Sequence, residues 1–407
     1  MNVIFLTLIR FSDIKERGIY QDLMRKFRAE GHKVYIVSPN ERRLGFETSL
    51  VEDGAGGMLN VKTLNVQKTS FLEKGLGTLL LERQYRTAIQ KYLSGISFDL
   101  ILYSTPPITF TKVIAYLKKN SPRAKTYLLL KDIFPQNALD LSILSKTGIK
   151  GFIYRFFRRK EKNLYSLSDY IGCMSPANVE YVLNHNLGID PACIEVAPNS
   201  ISLDQSPLAG KIGDFAAKEN ARKKYGVPVD VPVFIYGGNL GRPQGIPYLI
   251  DCLDANADRT DCFFIVIGSG TEFPRIKAWS DKKRPSSVKV MEGLPKSEYN
   301  ELVRACDVGL IFLDHRFTIP NYPSRILSYL ENKMPVICAT DIHTDIGRIA
   351  EANGYGFWCE SVRVDDFVAL VDKMIVADRK VMGENGYSYL KTNYLVENTY
   401  GTIMKHF

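Results

Sequence analysis

The chain has 407 residues, of which 45% are hydrophobic and 24% charged, a composition typical of a soluble globular protein and unlike that of disordered or fibrous chains. At about 150 residues per domain, this length predicts two domains. The formal net charge of +9 favours anionic partners, such as nucleotides, phosphates or an acidic bilayer surface.

The sequence argues against a membrane-spanning protein and against a metal-binding protein. No apolar run approaches the roughly 18 residues that cross a bilayer, and the short run after Met1 lacks the basic start of a signal peptide. The seven cysteines are scattered with no C-x-x-C pair, and the five histidines show no ligand spacing. We therefore expect a cytoplasmic protein that needs no metal or other cofactor and contacts a membrane only peripherally.

Strands and helices alternate through the first half of the chain. Most of the apolar runs end at Pro, Asp or Ser, and helical patterns separate them; the runs are VIFLTLI, KVYIVSP, FDLILYS, TYLLLKD and DYIGCMS. In IYQDLMRKFRAEG, the apolar residues 19, 23, 24 and 27 fall on one helical face, and Gly31 ends the helix. Continuous apolar strands of this kind are typical of parallel sheets covered on both faces.

The pattern breaks near Ser200, where residues 201–230 become polar and contain Gly and Pro. We therefore place an N-terminal domain at 1–204. A second alternating series at 205–385 predicts another doubly wound sheet, and 386–407 is predicted as one long amphipathic helix that packs back on the N-terminal domain. The expected fold class is α/β, with two Rossmann-like parallel-sheet domains facing a cleft where ligands meet the strand ends.

The segment 321–335, NYPSRILSYLENKMP, is one candidate site. Pro323 and Ser324 are typical helix-start residues, and they follow the apolar strand DVGLIFLD. A helix N-terminus after a strand offers unpaired N–H groups to a phosphate, and Arg325 in the first turn adds a guanidinium fork. The segment predicts a diphosphate clamp; the alternative is a buried amphipathic helix with a surface arginine.

Three turns at strand ends supply further candidates. YGGNLGRPQGI combines glycines that allow close backbone approach with polar side chains, and VIGSG and VMEGLP end two more strands. The alternative is that these turns are purely structural. The ligand contacts predicted from the turns are Gly238, Asn239, Gly241, Arg242, Gln244, Gly268, Glu292 and Leu294.

In the N-terminal domain, Asp132 ends the strand TYLLLKD. A carboxylate at a strand end that faces a cleft can act on an acceptor hydroxyl. Alternatively, Asp132 caps a helix or forms an ion pair with Lys131 or a nearby arginine. Glu161 lies in a highly charged helix, where a structural ion pair is the favoured role.

The stretch 151–162, GFIYRFFRRKEK, mixes aromatic and basic residues. Helices of this composition bind acidic bilayer surfaces, whereas the alternative is a core-facing helix with a solvated basic face. No known RNA- or DNA-binding motif is present, so nucleic acid is not an expected partner.

The order of these pieces resembles glycosyltransferase family four, retaining enzymes of the GT-B fold, over nearly the whole chain. The stretches that carry the resemblance are RGIYQDLMRKFRAEGHKVYIVSP, VAPNS, YGGNLGRPQGI, VIGSGTEFPRIK, VMEGLPKSEYNELVRACDVGLIFL and PSRILSYLENKMPVICAT. With STPP, KDIFPQ and PSR, the chain looks closest to transferases of O-antigen and capsule assembly, such as the N-acetyl-L-fucosamine transferases.

The resemblance implies transfer from a nucleotide sugar, expected to be a UDP-sugar, to a lipid-linked or oligosaccharide acceptor at the cytoplasmic membrane face. The anomeric configuration is retained. The leaving diphosphate can take the acceptor proton itself, which needs no metal, while Arg325 and helix N–H groups stabilise the growing charge. Asp132 would orient or partly deprotonate the acceptor, and Gly18 would let the first-domain loop approach the donor.

Four positions depart from the family pattern. Where the family has two glutamates, this chain has Pro320 and Ser328, with Glu331 one helical turn beyond the second. The usual arginine and lysine of the glycine loop are an asparagine and a glutamine, and Arg242 and Arg325 offer substitute cations. The resemblance completes the predicted donor site with Ser324, Arg325, Ser328 and Glu331.

Two other functions stay open at this point. One is a UDP-sugar 2-epimerase on the same fold. That reaction requires several carboxylates in the cleft and usually a histidine, and the sequence does not indicate which residues would supply them. The other is a non-catalytic nucleotide-sugar-binding protein, which the missing glutamates favour.

Overall fold

The chain folds into two compact units in a computed structural model that describes residues 1–66, 71–203 and 215–407. The first unit is Met1–Ser202 together with Val396–Phe407, and the second is Leu203–Leu395. The boundary that the sequence placed between residues 204 and 205 lies outside the described residues.

A largely parallel sheet is the framework of the first unit. Its strands are β1 (Asn2–Leu6), β2 (Lys33–Glu41), β3 (Ser49–Glu52), β4 (Gly56–Thr63), β5 (Leu100–Ser104), β6 (Lys125–Leu130), β7 (Tyr170–Cys173) and β8 (Ile194–Val196). Within the described residues, these eight strands pair in the order β3-β4-β2-β1-β5-β6-β7-β8, and only β3 and β4 run antiparallel. The helices are α1 (Ile19–Ala29), α2 (Phe71–Tyr92), α3 (Thr111–Asn120), α4 (Gln136–Asp140), α5 (Gly148–Ser166) and α6 (Pro176–His185).

The core of the first unit explains why its inner strands are apolar throughout. Every residue of β5 is buried, and β1 and β6 each have only one residue that is not. Both faces of these strands are therefore covered, as expected for parallel strands connected by helices. On one face, Phe5 of β1 packs in a cluster with Leu23 and Phe27 of α1.

The second unit has an entirely parallel sheet across its described residues. The strands β9 (Val233–Asn239), β10 (Phe263–Ser269), β11 (Val288–Glu292), β12 (Val308–Phe312), β13 (Val336–Thr340) and β14 (Gly356–Glu360) pair in the order β11-β10-β9-β12-β13-β14. The helices are α7 (Phe215–Lys224), α8 (Ile246–Ala255), α9 (Phe273–Lys283), α10 (Lys296–Ala305), α11 (Arg325–Glu331), α12 (Ile346–Ala352), α13 (Val364–Val376) and α14 (Arg379–Asn393). The predicted α/β class with two parallel sheets is confirmed.

The end of the chain differs from its prediction. The sequence predicted one long helix over 386–407, but the structure has two: α14 ends at Asn393, and α15 covers Val396–Met404. The helix α14 belongs to the second unit, whereas α15 belongs to the first and packs on α1. In that contact, the Tyr400 hydroxyl lies 2.9 Å from Nε2 of His32. The prediction is therefore wrong for 386–395, because the helix breaks where its packing partner changes.

Candidate functional site

The site in the second unit lies where the strand order reverses. From β9 the chain adds β10 and β11 on one side, and it then returns to place β12 on the other side. The carboxyl ends of strands at such a switch point are where open α/β sheets bind ligands. Here β9 ends in Gly237, Gly238 and Asn239, and the loop after β12 leads into α11.

Arg325 is the first residue of α11 and lies against the end of β9. Its Cζ is 4.3 Å from the centroid of the Tyr236 ring, and its Nη2 is 3.7 Å from the position that a Cβ on Gly238 would take. Its Nη1 is buried and has no hydrogen-bond partner within the described residues, and no carboxylate there forms an ion pair with Arg325. Burying a cation without a partner is unfavourable, so this position is suited to an anionic ligand.

Three tyrosines surround Arg325 and the adjacent backbone of β9. The Tyr236 hydroxyl donates to the Asn239 carbonyl at 2.7 Å, and the Tyr329 hydroxyl donates to the Ile235 carbonyl at 3.1 Å. Tyr299 of α10 lies against Gly237, where any Cβ would overlap the Tyr299 hydroxyl. Burial raises the pKa of all three phenols, which stay neutral at physiological pH.

The sequence analysis singled out none of these tyrosines, although Tyr329 lies within the candidate segment 321–335. Tyr236 directly precedes the glycines in YGGN and could have been included with them. Tyr299 could not have been identified from the sequence, because it lies in the helical stretch KSEYNELVRA, which contains no motif that indicates ligand binding.

The loop after β9 is held by its own side chains. The Asn239 amide Nδ2 donates to Oε1 of Gln244 at 3.1 Å, and the Gly241 N–H donates to the same oxygen at 3.0 Å. Gln244 thus closes the turn. The Arg242 side chain is 61% exposed, and its Nε lies 3.8 Å from the Glu272 carboxylate.

Two of the predicted glycines have different roles. Gly268 pairs with Gly238 across the sheet, and a Cβ on Gly268 would overlap the Gly238 carbonyl oxygen. Gly268 is therefore required by strand packing. Gly238 is exposed and has a φ of +118°, a conformation that favours glycine, and it leaves the backbone beside Arg325 accessible.

The remaining predicted residues of the donor site take the following places. Glu292 is exposed at the end of β11 and pairs in register with Gly268, while Leu294 follows it and is partly buried. Ser324 is exposed at the N-cap position of α11, and its side chain makes no capping hydrogen bond. Ser328 and Glu331 are partly buried on α11, in its middle and at its last residue.

Asp132 occupies a separate site in the first unit, just after β6. One carboxylate oxygen accepts from the Asn137 amide at 2.8 Å, and the Asp132 N–H donates to Oγ1 of Thr105 at 3.2 Å. Burial raises the pKa of Asp132 from 3.8 to about 6, while the Asn137 hydrogen bond lowers it. Neither structural alternative applies. Pro135 is the residue before α4, Lys131 donates instead to the Ala197 carbonyl at 2.8 Å, and Asp132 forms no ion pair within the described residues.

Two further residues of the first unit have clear surroundings. Glu161 forms an ion pair with Arg158 and accepts from the Tyr165 hydroxyl at 2.8 Å, which is the structural role that the sequence favoured. Gly18 precedes α1 in an extended conformation with a φ of 174°, and its N–H donates to the Asp22 carboxylate at 3.2 Å.

The helix α5 exposes a mixed apolar and basic surface. Ile149, Phe152 and Phe156 are 83%, 67% and 38% exposed, and their spacing places them on one side of the helix. Four basic residues around them are exposed and have no acidic partner in the described part of the chain: Lys146, Lys150, Arg155 and Arg159. We call these seven residues the basic-aromatic face. The alternative, a core-facing helix, describes the other side of α5, where Leu164 and Tyr165 are buried, but it does not account for the exposure of Phe152 and Phe156.

No group of three or more His, Cys, Asp or Glu side chains in the described residues is arranged to hold a metal ion. No helix among them combines the length and apolar character needed to cross a bilayer.

Comparisons with known proteins agree with this architecture. Residues 217–389 match the family described as Glycosyl transferases group 1. A curated relative from Pseudomonas aeruginosa, the probable glycosyltransferase WbjE, is 22% identical over 367 residues that cover 88% of each chain.

Two solved structures show the fold. HepE of Anabaena, in complex with UDP and glucose, has a TM-score of 0.67 at 16% identity, covering 100% of this chain and 99% of HepE. WaaG, a glycosyltransferase involved in lipopolysaccharide biosynthesis, has a TM-score of 0.64 at 16% identity, covering 98% and 99%. The fold is GT-B, as predicted, and the matches support a glycosyltransferase.

Proposed function

We propose that this GT-B glycosyltransferase moves a sugar from a UDP-sugar to a lipid-linked or oligosaccharide acceptor, with retention at the anomeric carbon. The observation that carries the proposal is the Nη1 atom of Arg325, buried beside the end of β9 without a partner in the described residues. A diphosphate supplies the anion that this donor lacks.

The comparisons support the choice of donor and setting. HepE was solved with UDP and glucose, and WaaG acts in lipopolysaccharide biosynthesis. We infer a role in bacterial surface polysaccharide synthesis, either capsule or O-antigen, at the inner face of the cell membrane. Within that class, the STPP, KDIFPQ and PSR motifs resemble those of the N-acetyl-L-fucosamine transferases, and we propose a hexosyl- or N-acetylhexosaminyl-transferase.

The proposed mechanism assigns donor and acceptor to different units. In the second unit, Arg325 stabilises the negative charge that grows on the leaving diphosphate. The diphosphate takes the acceptor proton as the new glycosidic bond forms, so no metal is required. In the first unit, Asp132 accepts a hydrogen bond from the acceptor hydroxyl and orients its oxygen for attack, while the proton itself passes to the diphosphate.

A donor screen followed by product analysis tests this proposal. In a screen of UDP-, GDP- and dTDP-sugars, we expect a UDP-sugar to bind and to raise the melting temperature of the protein by mass action. With that donor and a lipid-linked sugar acceptor, we expect an NMR-defined product of retained configuration, formed equally well in EDTA.

The same assay separates the alternatives. An altered sugar formed from the donor alone would identify a 2-epimerase. Tight UDP binding with neither transfer nor hydrolysis across a broad acceptor panel would identify a binding protein. Inversion at the anomeric carbon would contradict the proposed mechanism.

We also propose that the basic-aromatic face of α5 contacts an anionic bilayer. Its exposed aromatic side chains can enter the headgroup region, and each unpaired Lys or Arg contributes about 1 kcal/mol near an acidic surface. This contact would place the first unit beside a lipid-linked acceptor.

Vesicle sedimentation measures this contact. We expect wild-type protein to sediment with phosphatidylglycerol-rich vesicles but not with neutral ones. The double variant Lys150→Ala/Arg159→Ala should lose about 2 kcal/mol of binding free energy, and Phe152→Ser should weaken binding further. Leu187→Ser, at a residue that is 95% exposed elsewhere in the first unit, is the matched control. Equal sedimentation of all variants would contradict the contact.

A further inference from the structure

The three tyrosines around Gly237 differ in what their hydroxyl groups bind. The hydroxyls of Tyr236 and Tyr329 each donate to a backbone carbonyl. The Tyr299 hydroxyl has no hydrogen-bond partner within the described residues. It also lies where a side chain on residue 237 would be, so the glycine there is what allows its close approach to the β9 backbone.

Two unused donors therefore flank consecutive glycines at the end of β9. The Tyr299 hydroxyl lies against Gly237, and the Arg325 guanidinium lies beside Gly238. Tyr299 and Arg325 are also close enough that the guanidinium charge opposes the burial that raises the pKa of Tyr299. No carboxylate in the described part of the chain forms an ion pair with Arg325, so an entering anion would meet both donors without competition.

We propose that Tyr299 is a second donor to the diphosphate of the nucleotide sugar, acting with Arg325 on the phosphate oxygens beside Gly237 and Gly238. This inference rests on the proposed function and adds a residue that sequence motifs do not reveal. The Tyr299 hydroxyl binds the anion directly, whereas Tyr236 and Tyr329 hold the guanidinium and the strand in place.

The chemistry of a phenol suits this position. Because burial raises the pKa of Tyr299, the group keeps its proton and can donate a hydrogen bond throughout the physiological pH range. A phenolate would repel the diphosphate. A hydrogen bond to a charged group contributes more than one between neutral groups, so loss of the hydroxyl should be measurable in nucleotide binding.

The test compares nucleotide and nucleoside binding by calorimetry. Tyr299→Phe keeps the ring and removes only the hydroxyl, and we expect it to weaken UDP binding about tenfold or more. Uridine, which lacks the diphosphate, should bind Tyr299→Phe and wild type equally. The matched control is Tyr248→Phe in the same unit, whose hydroxyl donates to the Arg363 carbonyl at 2.9 Å; it should bind UDP like wild type.

The outcomes separate this inference from the proposed function. Equal UDP affinity of Tyr299→Phe and wild type, with Arg325→Ala weakened, overturns the role of Tyr299 alone. An equal loss for UDP and uridine assigns the hydroxyl a structural role and also overturns it. A wild-type protein that binds none of UDP, GDP or dTDP overturns both.

A second measurement covers a variant that fails to fold. We expect the melting temperature of ligand-free Tyr299→Phe to match or exceed that of wild type, because the hydroxyl has no internal partner to lose. If the variant is unfolded, 3-fluorotyrosine placed at position 299 reports the contact directly. Its fluorine resonance should shift on addition of UDP and not of uridine, and an unchanged resonance would overturn the proposal.

Discussion

Arg325→Ala should lose ~2–4 kcal/mol of transition-state stabilisation, which is roughly a 30- to 1,000-fold fall in kcat/KM for the nucleotide sugar. The guanidinium is the one cation that the structure places against the end of β9 with a buried, unpartnered donor atom in the described residues. Steady-state kinetics with the donor found by the screen measures the effect. A fall in kcat at constant KM would locate the contact in the transition state, and a rise in KM would locate it in donor binding.

Two controls make this result specific. Arg275→Ala removes an exposed arginine of α9 in the same unit and should leave the kinetics unchanged. Arg325→Lys keeps a positive charge but loses the planar fork, so it should fall between wild type and alanine. Folding should tolerate Arg325→Ala, because no ion pair within the described residues is lost. Wild-type kcat/KM in Arg325→Ala would remove Arg325 from the site.

Asp132→Asn should lower kcat about 100- to 10,000-fold and also remove a pH dependence, because the neutral amide lacks the negative charge with which the carboxylate orients and polarises the acceptor hydroxyl. Burial raises the pKa of Asp132 to about 6, so the wild-type rate should fall as the pH drops below about 6 and the carboxylate becomes protonated. Asn137 donates to this carboxylate and favours its ionised form. Asn137→Ala should therefore move the acidic limb of the profile to higher pH.

Stability gives an independent check on the same pKa. Because the folded-state pKa lies above the unfolded value of 3.8, ionisation of Asp132 weakens folding as the pH rises from about 4 to about 6. Asp132→Asn removes that penalty, so its melting temperature at neutral pH should not fall below that of wild type. If Asp132→Asn is inactive because it is unfolded, the pH–rate profile of Asn137→Ala tests the role of Asp132 instead. An acidic limb that survives in a folded, active Asp132→Asn enzyme would contradict the assignment.

The sequence predicts the two sheets well because of how their strands are buried. The strand β12 is buried at every residue, and its apolar run stops at Asp314, just before the chain becomes exposed at His315. The C-terminal segment 386–407 was predicted poorly because its helix break has no signal in the local sequence. Residues 394 and 395 contain neither Gly nor Pro, and the break between α14 and α15 arises only from their packing against different units.

The site was predictable only where its signals are local. Pro323, Ser324 and Arg325 are adjacent, and their residue types alone indicate a helix start with a cation. The tyrosines around Arg325 come from β9, α10 and α11. No sequence pattern links Tyr299 of α10 to Arg325. Gln244 shows the opposite error, in which a residue that looks like a ligand contact in the sequence has a structural role. A polar side chain among glycines suggests a ligand contact, whereas the structure uses it to hold the Gly241 N–H.

The separate packing of α15 also has a consequence for how the protein folds during synthesis. The second unit is one continuous stretch, Leu203–Leu395, inserted between two pieces of the first. The apolar side of α1 is completed by Ile403 of α15. The second unit can therefore fold as it leaves the ribosome, whereas the first, although most of it is made earlier, must wait for residues 396–407. For this chain, the N-terminal unit is the last to be finished.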